Sequence, residues 1–105
     1  MAKANITAEQ AAKYLGEAAP ENEFWLYGGG QLRRLKDLAA ALPKLSKEGF
    51  EHHVNKEKND FALWVEGSLG DAQLSGALKG VKTKAALLKK IKERIALLTK
   101  AAKKA

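Results

Sequence analysis

Apolar residues recur three and four positions apart along most of the chain, and this spacing is typical of amphipathic helices. Leu35, Leu38 and Leu42 mark one such stripe, and Phe61, Trp64 and their apolar neighbours up to Leu69 mark another. The pattern predicts a mainly α fold (α+β with minor β). We expect a small bundle of about five to six helices with one short β-hairpin.

Helix starts are signalled by side chains that accept hydrogen bonds from free backbone amides. Thr7 and Gln10 in "TAEQ" match a capping box, and the other candidates are Ser46, Asn59 or Asp60, Asp71 and Thr83. Leu45 and Phe50 are spaced as a hydrophobic staple around Ser46. Pro43, Gly70 and Gly80 are expected to end helices.

One segment, "EFWLYGGGQLRRL", alternates instead. Aromatic residues favour strands, and a run of glycines supplies the positive φ angles of a tight turn. We therefore predict a hairpin that pairs Phe24–Tyr27 with Gln31–Arg34. Because an isolated hairpin is only marginally stable, it is expected to lie on the helices.

The last helix, predicted from about Thr83, has two different faces. Its apolar seam has alternating spacings of three and four and consists of Leu88, Ile91, Ile95 and Leu98. Lysines gather on the opposite face. We therefore divide the chain into a compact helical domain, residues 1–80 with the hairpin at about 24–34, and a basic amphipathic C-terminal helix, residues 81–105.

Charge is distributed unevenly along these 105 residues. Residues 1–79 contain ten Lys or Arg and eleven Asp or Glu, whereas residues 80–105 contain nine Lys or Arg and only Glu93. Such asymmetry indicates an acidic partner. The chain has no cysteine and no long apolar run, so we expect a cytoplasmic protein with no membrane span, nucleoid-associated if it binds DNA.

The middle of the chain resembles an uncharacterised prokaryotic domain family, found mainly in archaea, whose signature is "HVxxxKNDFAxW…LGD". The resemblance covers roughly residues 20–78 and excludes the basic end. It implies kinship but no activity, because the family's function is unknown. The matching residues include His53, Val54, Lys58, Asn59, Asp60, Phe61, Ala62, Trp64, Leu69, Gly70 and Asp71.

Several residues in this region invite a chemical interpretation that the sequence does not favour. Neighbouring His52 and His53 diverge by about 100° on a helix, and no third histidine or cysteine completes a metal site. We expect His53 to be partly buried and bonded to backbone or to the Asn59/Asp60 turn, with His52 facing solvent. We predict no catalytic residue, metal or cofactor, and no enzyme.

The glycine turn at residues 28–30 lacks the features of a phosphate loop. Arg33 and Arg34 follow it and remain a secondary anion contact. Trp25 and Tyr27 lie on the same hairpin, and one of them could be exposed for base stacking.

The leading hypothesis is a small non-enzymatic binding protein that associates with nucleic acid (DNA) without sequence preference. Its binding residues would be Lys82, Lys84, Lys89, Lys90, Lys92, Arg94, Lys100, Lys103 and Lys104. The alternative is a protein–protein interaction or self-association module that uses the Leu88/Ile91/Ile95/Leu98 seam against an acidic or helical partner, including a second copy. An anionic membrane surface is a third and weaker possibility, because the apolar face lacks Trp and Phe.

Overall fold

A computed structural model describes residues 6–103 as six α-helices and one two-stranded antiparallel sheet. The mainly α prediction with a short β-hairpin is confirmed. The helices are α1 (Ala8–Leu15), α2 (Leu35–Ala41), α3 (Lys47–His53), α4 (Asp60–Trp64), α5 (Ala72–Leu78) and α6 (Lys84–Ala102), and the strands are β1 (Phe24–Trp25) and β2 (Gln31–Leu32). Short 3₁₀ turns at Pro20–Asn22 and Leu42–Lys44 flank β1 and α2.

The helix starts follow the local sequence closely. Thr7 and Gln10 form the complete capping box at α1, with both reciprocal bonds present. Ser46, Asn59, Asp71 and Thr83 each accept a backbone amide of the first turn of α3, α4, α5 and α6. These five caps are confirmed, with Asn59 rather than Asp60 capping α4.

The hairpin is shorter than predicted. Only Phe24↔Leu32 and Trp25↔Gln31 form strand pairs. The Leu26 amide still donates across the turn to the Gly30 carbonyl, but the amides of residues 27, 33 and 34 bind elsewhere. The Tyr27 amide donates to His53 Nε2 at 3.0 Å, and the amides of Arg33 and Arg34 both donate to the Asp37 carboxylate. Residues 33 and 34 therefore introduce α2 instead of extending β2.

The segment after Asn59 changes its helical pitch. Helix α4 ends at Trp64 and continues as a π-helical turn, Val65–Leu69, before Gly70 stops it at φ 86°. The sequence predicted one continuous helix there. Val65 and Leu69 are nevertheless both buried, so the wider turn keeps the predicted apolar stripe in the core.

The core is shared by all six helices and the inner side of the hairpin. Helix α6 belongs to it, because it packs against α1, α2 and α5. The boundary predicted at residue 80 therefore separates two regions of different charge that share one apolar core. Among residues 6–103, no helix is long and apolar enough to cross a membrane.

Candidate nucleic-acid interface

The inner face of α6 is fully used by the protein itself. Leu87, Ile91 and Leu98 are completely buried, and Leu88 and Ile95 pack at the edge of the same core. The predicted seam Leu88/Ile91/Ile95/Leu98 therefore contacts the body. Because this contact buries Ile91 and Leu98 and part of Leu88 and Ile95, little of the seam is left exposed for a partner helix or a second copy.

Arg94 requires a correction, because it does not belong to the exposed cations. Its Nε and Nη2 donate to the two carboxylate oxygens of Asp71, each at 2.8 Å. The Asp71 side chain is 2% exposed and that of Arg94 is 11% exposed. Asp71 also accepts the Leu74 amide as the cap of α5. The pair thus joins α6 to the start of α5, and a phosphate would have to compete with Asp71 for an almost enclosed guanidinium.

The outer face of α6 and the residues next to its two ends carry the remaining cations. Lys84 is partly buried and donates from Nζ to the Leu45 carbonyl at 2.7 Å, so it fastens the start of α6 to the body. Lys104 lies outside the described residues. The other predicted binding residues are exposed to solvent, and they are Lys82, Lys89, Lys90, Lys92, Lys100 and Lys103.

Four of these lysines form a row along the helix. At about 100° per residue, Lys89, Lys92, Lys100 and Lys103 fall within about 80° of arc. The row is about 21 Å long, since each helical residue rises 1.5 Å. We call these four residues the lysine row. Within residues 6–103 none of the four forms an ion pair, and Glu93 is the single acid of α6.

The predicted secondary anion contact is already neutralised. Arg33 Nε donates to Glu23 at 2.7 Å, and Arg34 Nη2 donates to Glu17 at 2.6 Å. Both arginines keep some exposure, but each would have to leave a carboxylate to meet a phosphate. They are weaker candidates than the unpaired lysines of α6.

The aromatic side chains of the hairpin are more exposed than expected. Trp25 is 72% exposed and Tyr27 is 40% exposed, whereas Trp64 is buried and donates from Nε1 to the Asn22 carbonyl. A hydrogen bond to Glu48 raises the pKa of the Tyr27 hydroxyl. Trp25 therefore has an open face, and Tyr27 is held against α3.

His53 is a structural residue whose two ring nitrogens are both engaged. Nδ1 lies 3.0 Å from Asp60 Oδ2, and Nε2 accepts the Tyr27 amide. Burial lowers the pKa of His53, although Asp60 acts in the opposite direction. Burial alone would raise the pKa of Asp60, but hydrogen bonds from His53 and Lys58 bring it below its usual value.

The imidazole of His53 is therefore neutral near pH 7, with its proton on Nδ1. It fastens the hairpin to α3 and α4 and has no free nitrogen for proton transfer. The predicted backbone and Asp60 contacts are confirmed, and His52 is exposed as predicted. Within the described range 6–103, no cluster of three or more His, Asp or Glu residues could hold a metal ion.

Comparison with protein-family models, with curated proteins and with solved structures finds no match to this chain. The resemblance to an archaeal domain family therefore stays a prediction. The Asp71–Arg94 pair was missed by sequence reasoning, since its members lie 23 positions apart in separate helices. A lone arginine among lysines on an otherwise lysine-rich helix was the one available hint, because arginine binds carboxylates bidentately.

Proposed function

We propose that the protein binds nucleic acid without sequence preference, through the lysine row on the outer face of α6. The observation that supports this is the division of the helix into two faces. Its apolar side and Arg94 are bound to the body, while the four row lysines are exposed and have no carboxylate partner in the described residues. The row is thus held on a rigid element and points to solvent.

The dimensions suit a phosphate backbone. Duplex DNA carries one charge per about 1.7 Å of axis, so a row of about 21 Å runs past roughly a dozen phosphates. Lysine is a flexible point charge and does not read base edges bidentately as arginine does. Binding should therefore depend on salt and tolerate any sequence. Double-stranded DNA is the form that a straight, rigid row fits best.

The test is fluorescence anisotropy of a labelled random-sequence duplex. Neutralising about four phosphates predicts a salt slope near −4, so affinity should fall about a hundredfold between about 50 mM and about 200 mM salt. Replacing Lys89, Lys92, Lys100 and Lys103 by Gln should weaken binding at low salt at least about tenfold and flatten the slope.

A matched control replaces four exposed body lysines by Gln, which removes the same total charge. Lys13, Lys36, Lys44 and Lys47 are exposed and form no ion pair in the described residues. Their loss should change affinity by no more than about threefold. Equal losses of affinity in the two variants would show an effect of net charge alone and would overturn the proposal. So would the absence of any rise in the anisotropy of the duplex at low salt.

A further inference from the structure

A second group of cations surrounds a small pocket made entirely of residues outside the lysine row. The pocket, of about 310 Å³, lies between the turn after α3, the start of α4 and the segment that joins α5 to α6. Its lining contains four lysines and one acid, Glu57. The lysines are Lys56, Lys58, Lys79 and Lys82.

These four cations are only partly compensated. Lys58 pairs with Asp60 at 3.1 Å, and Lys79 lies 3.7 Å from Glu66. Within residues 6–103, Lys56 and Lys82 have no carboxylate within salt-bridge distance. Like charges that converge on one small space repel each other, so an anion placed among them is favoured.

The walls of the pocket are fixed by hydrogen bonds before any ligand arrives. The turn is closed by the Asn55 amide, which donates to the Lys58 carbonyl at 3.0 Å, and by the Asn55 side chain, which accepts the Glu57 amide. Asn59 Nδ2 donates to the Leu78 carbonyl at 3.0 Å, which holds the start of α4 against the end of α5. A site whose frame is already ordered loses less entropy on binding.

Lys82 connects the segment between α5 and α6 to the turn after α3. Its Nζ lies 3.5 Å from the Asn55 carbonyl, across the pocket from its own segment. Beside these cations, Ala62 and Leu63 supply an apolar surface, and Leu63 is 62% exposed. A large exposed leucine between lysines fits a ligand that has both an anionic part and an apolar part.

We propose that this pocket binds a small organic polyphosphate of the nucleoside triphosphate class. The phosphoryl groups lie among Lys56, Lys58, Lys79 and Lys82, and the ring system covers Leu63. The concave shape favours a compact ligand over a duplex, because the cations converge from three segments and do not form a row. The volume lies at the small end of the range for ligand pockets, about 300–1,000 Å³.

The test is a titration of the full chain with a purine nucleoside triphosphate and, separately, with inorganic tripolyphosphate. Calorimetry measures the affinity, and amide chemical shifts locate the binding site. The nucleotide should shift the amides of residues 55–63 and 79–83. The double variant K56Q/K82Q should weaken both ligands about tenfold. L63S should weaken the nucleotide about threefold and leave tripolyphosphate unchanged.

The matched control is K89Q/K92Q, which removes the same charge from the lysine row and should leave both affinities within about twofold. Conversely, K56Q/K79Q removes two pocket lysines and no predicted nucleic-acid-binding residue, so it should weaken the nucleotide and keep the affinity for duplex DNA. This proposal and the proposed function therefore fail separately. An equal loss of nucleotide binding in K89Q/K92Q would overturn the pocket assignment. Absence of saturable nucleotide binding at millimolar concentration would overturn it as well.

Discussion

The two faces of α6 carry positive charge in opposite circumstances. Arg94 on the inner face is almost enclosed and makes two charge-assisted hydrogen bonds to a buried carboxylate. The lysine row on the outer face is exposed and lacks a carboxylate partner in the described residues. Arg94 therefore contributes to holding the fold together, and the row leaves its charge available to other molecules. Counting the nine Lys and Arg of residues 80–105 together hides that division.

The same contrast recurs between sequence neighbours. Leu98 is fully buried and Leu97 is 45% exposed, and His53 is buried beside exposed His52. Each pair offers one residue type in two environments. Substitutions within a pair therefore separate the effect of burial from the effect of residue type.

The largest expected effect is the loss of stability in Arg94→Met. The substitution leaves the Asp71 carboxylate buried without its cation, and breaking such a pair costs about 4 kcal/mol. Urea unfolding followed by circular dichroism measures it. Adding Asp71→Asn removes the stranded charge, keeps an acceptor for the Leu74 amide, and should restore about 2 kcal/mol. If the free energy of unfolding of Arg94→Met alone lies within about 1 kcal/mol of the parent value, the structural role of Arg94 is contradicted.

A smaller effect is expected for Leu98→Ala. Truncating a fully buried leucine removes apolar contacts and leaves a cavity, which should lower the free energy of unfolding by about 3 kcal/mol. Leu97→Ala, one position earlier on the outer face, should change it by less than about 0.5 kcal/mol. The comparison uses the same urea titration. Similar losses in the two variants would mean that α6 does not present its outer face to solvent.

The smallest of the three concerns His53 and its pH dependence. The folded chain lowers the pKa of His53, whereas the unfolded chain keeps the usual value of 6.5. Between the two values the unfolded state binds more protons. The contribution of this group to stability is therefore fully present above about pH 6.5 and is lost as pH falls toward the folded pKa.

His53→Phe should abolish that dependence between about pH 7 and the folded pKa, and should cost about 2 kcal/mol at neutral pH because Tyr27 and Asp60 lose a partner. His52→Asn is the control and should keep the parent profile. Thermal unfolding midpoints across a pH series provide the measurement. A pH slope that disappears in the His52 variant instead would contradict the assignment of this dependence to His53.

Most helix starts could be predicted because a cap is a local event. Ser46 needs only the amide three residues ahead, and Thr83 needs only Ala86. The fold class followed from apolar spacing for the same reason. The length of the hairpin was wrong because the amides of residues 27, 33 and 34 were taken by His53 and Asp37.

The candidate site was predictable only in part. The row lysines follow from helical geometry alone, so their exposure could be expected before any tertiary contact was known. Arg94 could not be separated from them in this way, since its partner Asp71 comes from another helix. The pocket could not be predicted either, although Lys82 was among the predicted binding residues, because Lys56, Lys79 and Lys82 come together only when three segments meet.

The packing of α1 against α6 has a consequence for the order in which the molecule is made. Helix α1 is translated before the other described helices, and α6, which packs against it, is translated after them. Until then its inward side lacks the cover that α6 provides, although α2 and the turn Val65–Leu69 also contact it. The core therefore closes only after α6 has left the exit tunnel, so the five earlier helices cannot complete the fold while α6 is still enclosed.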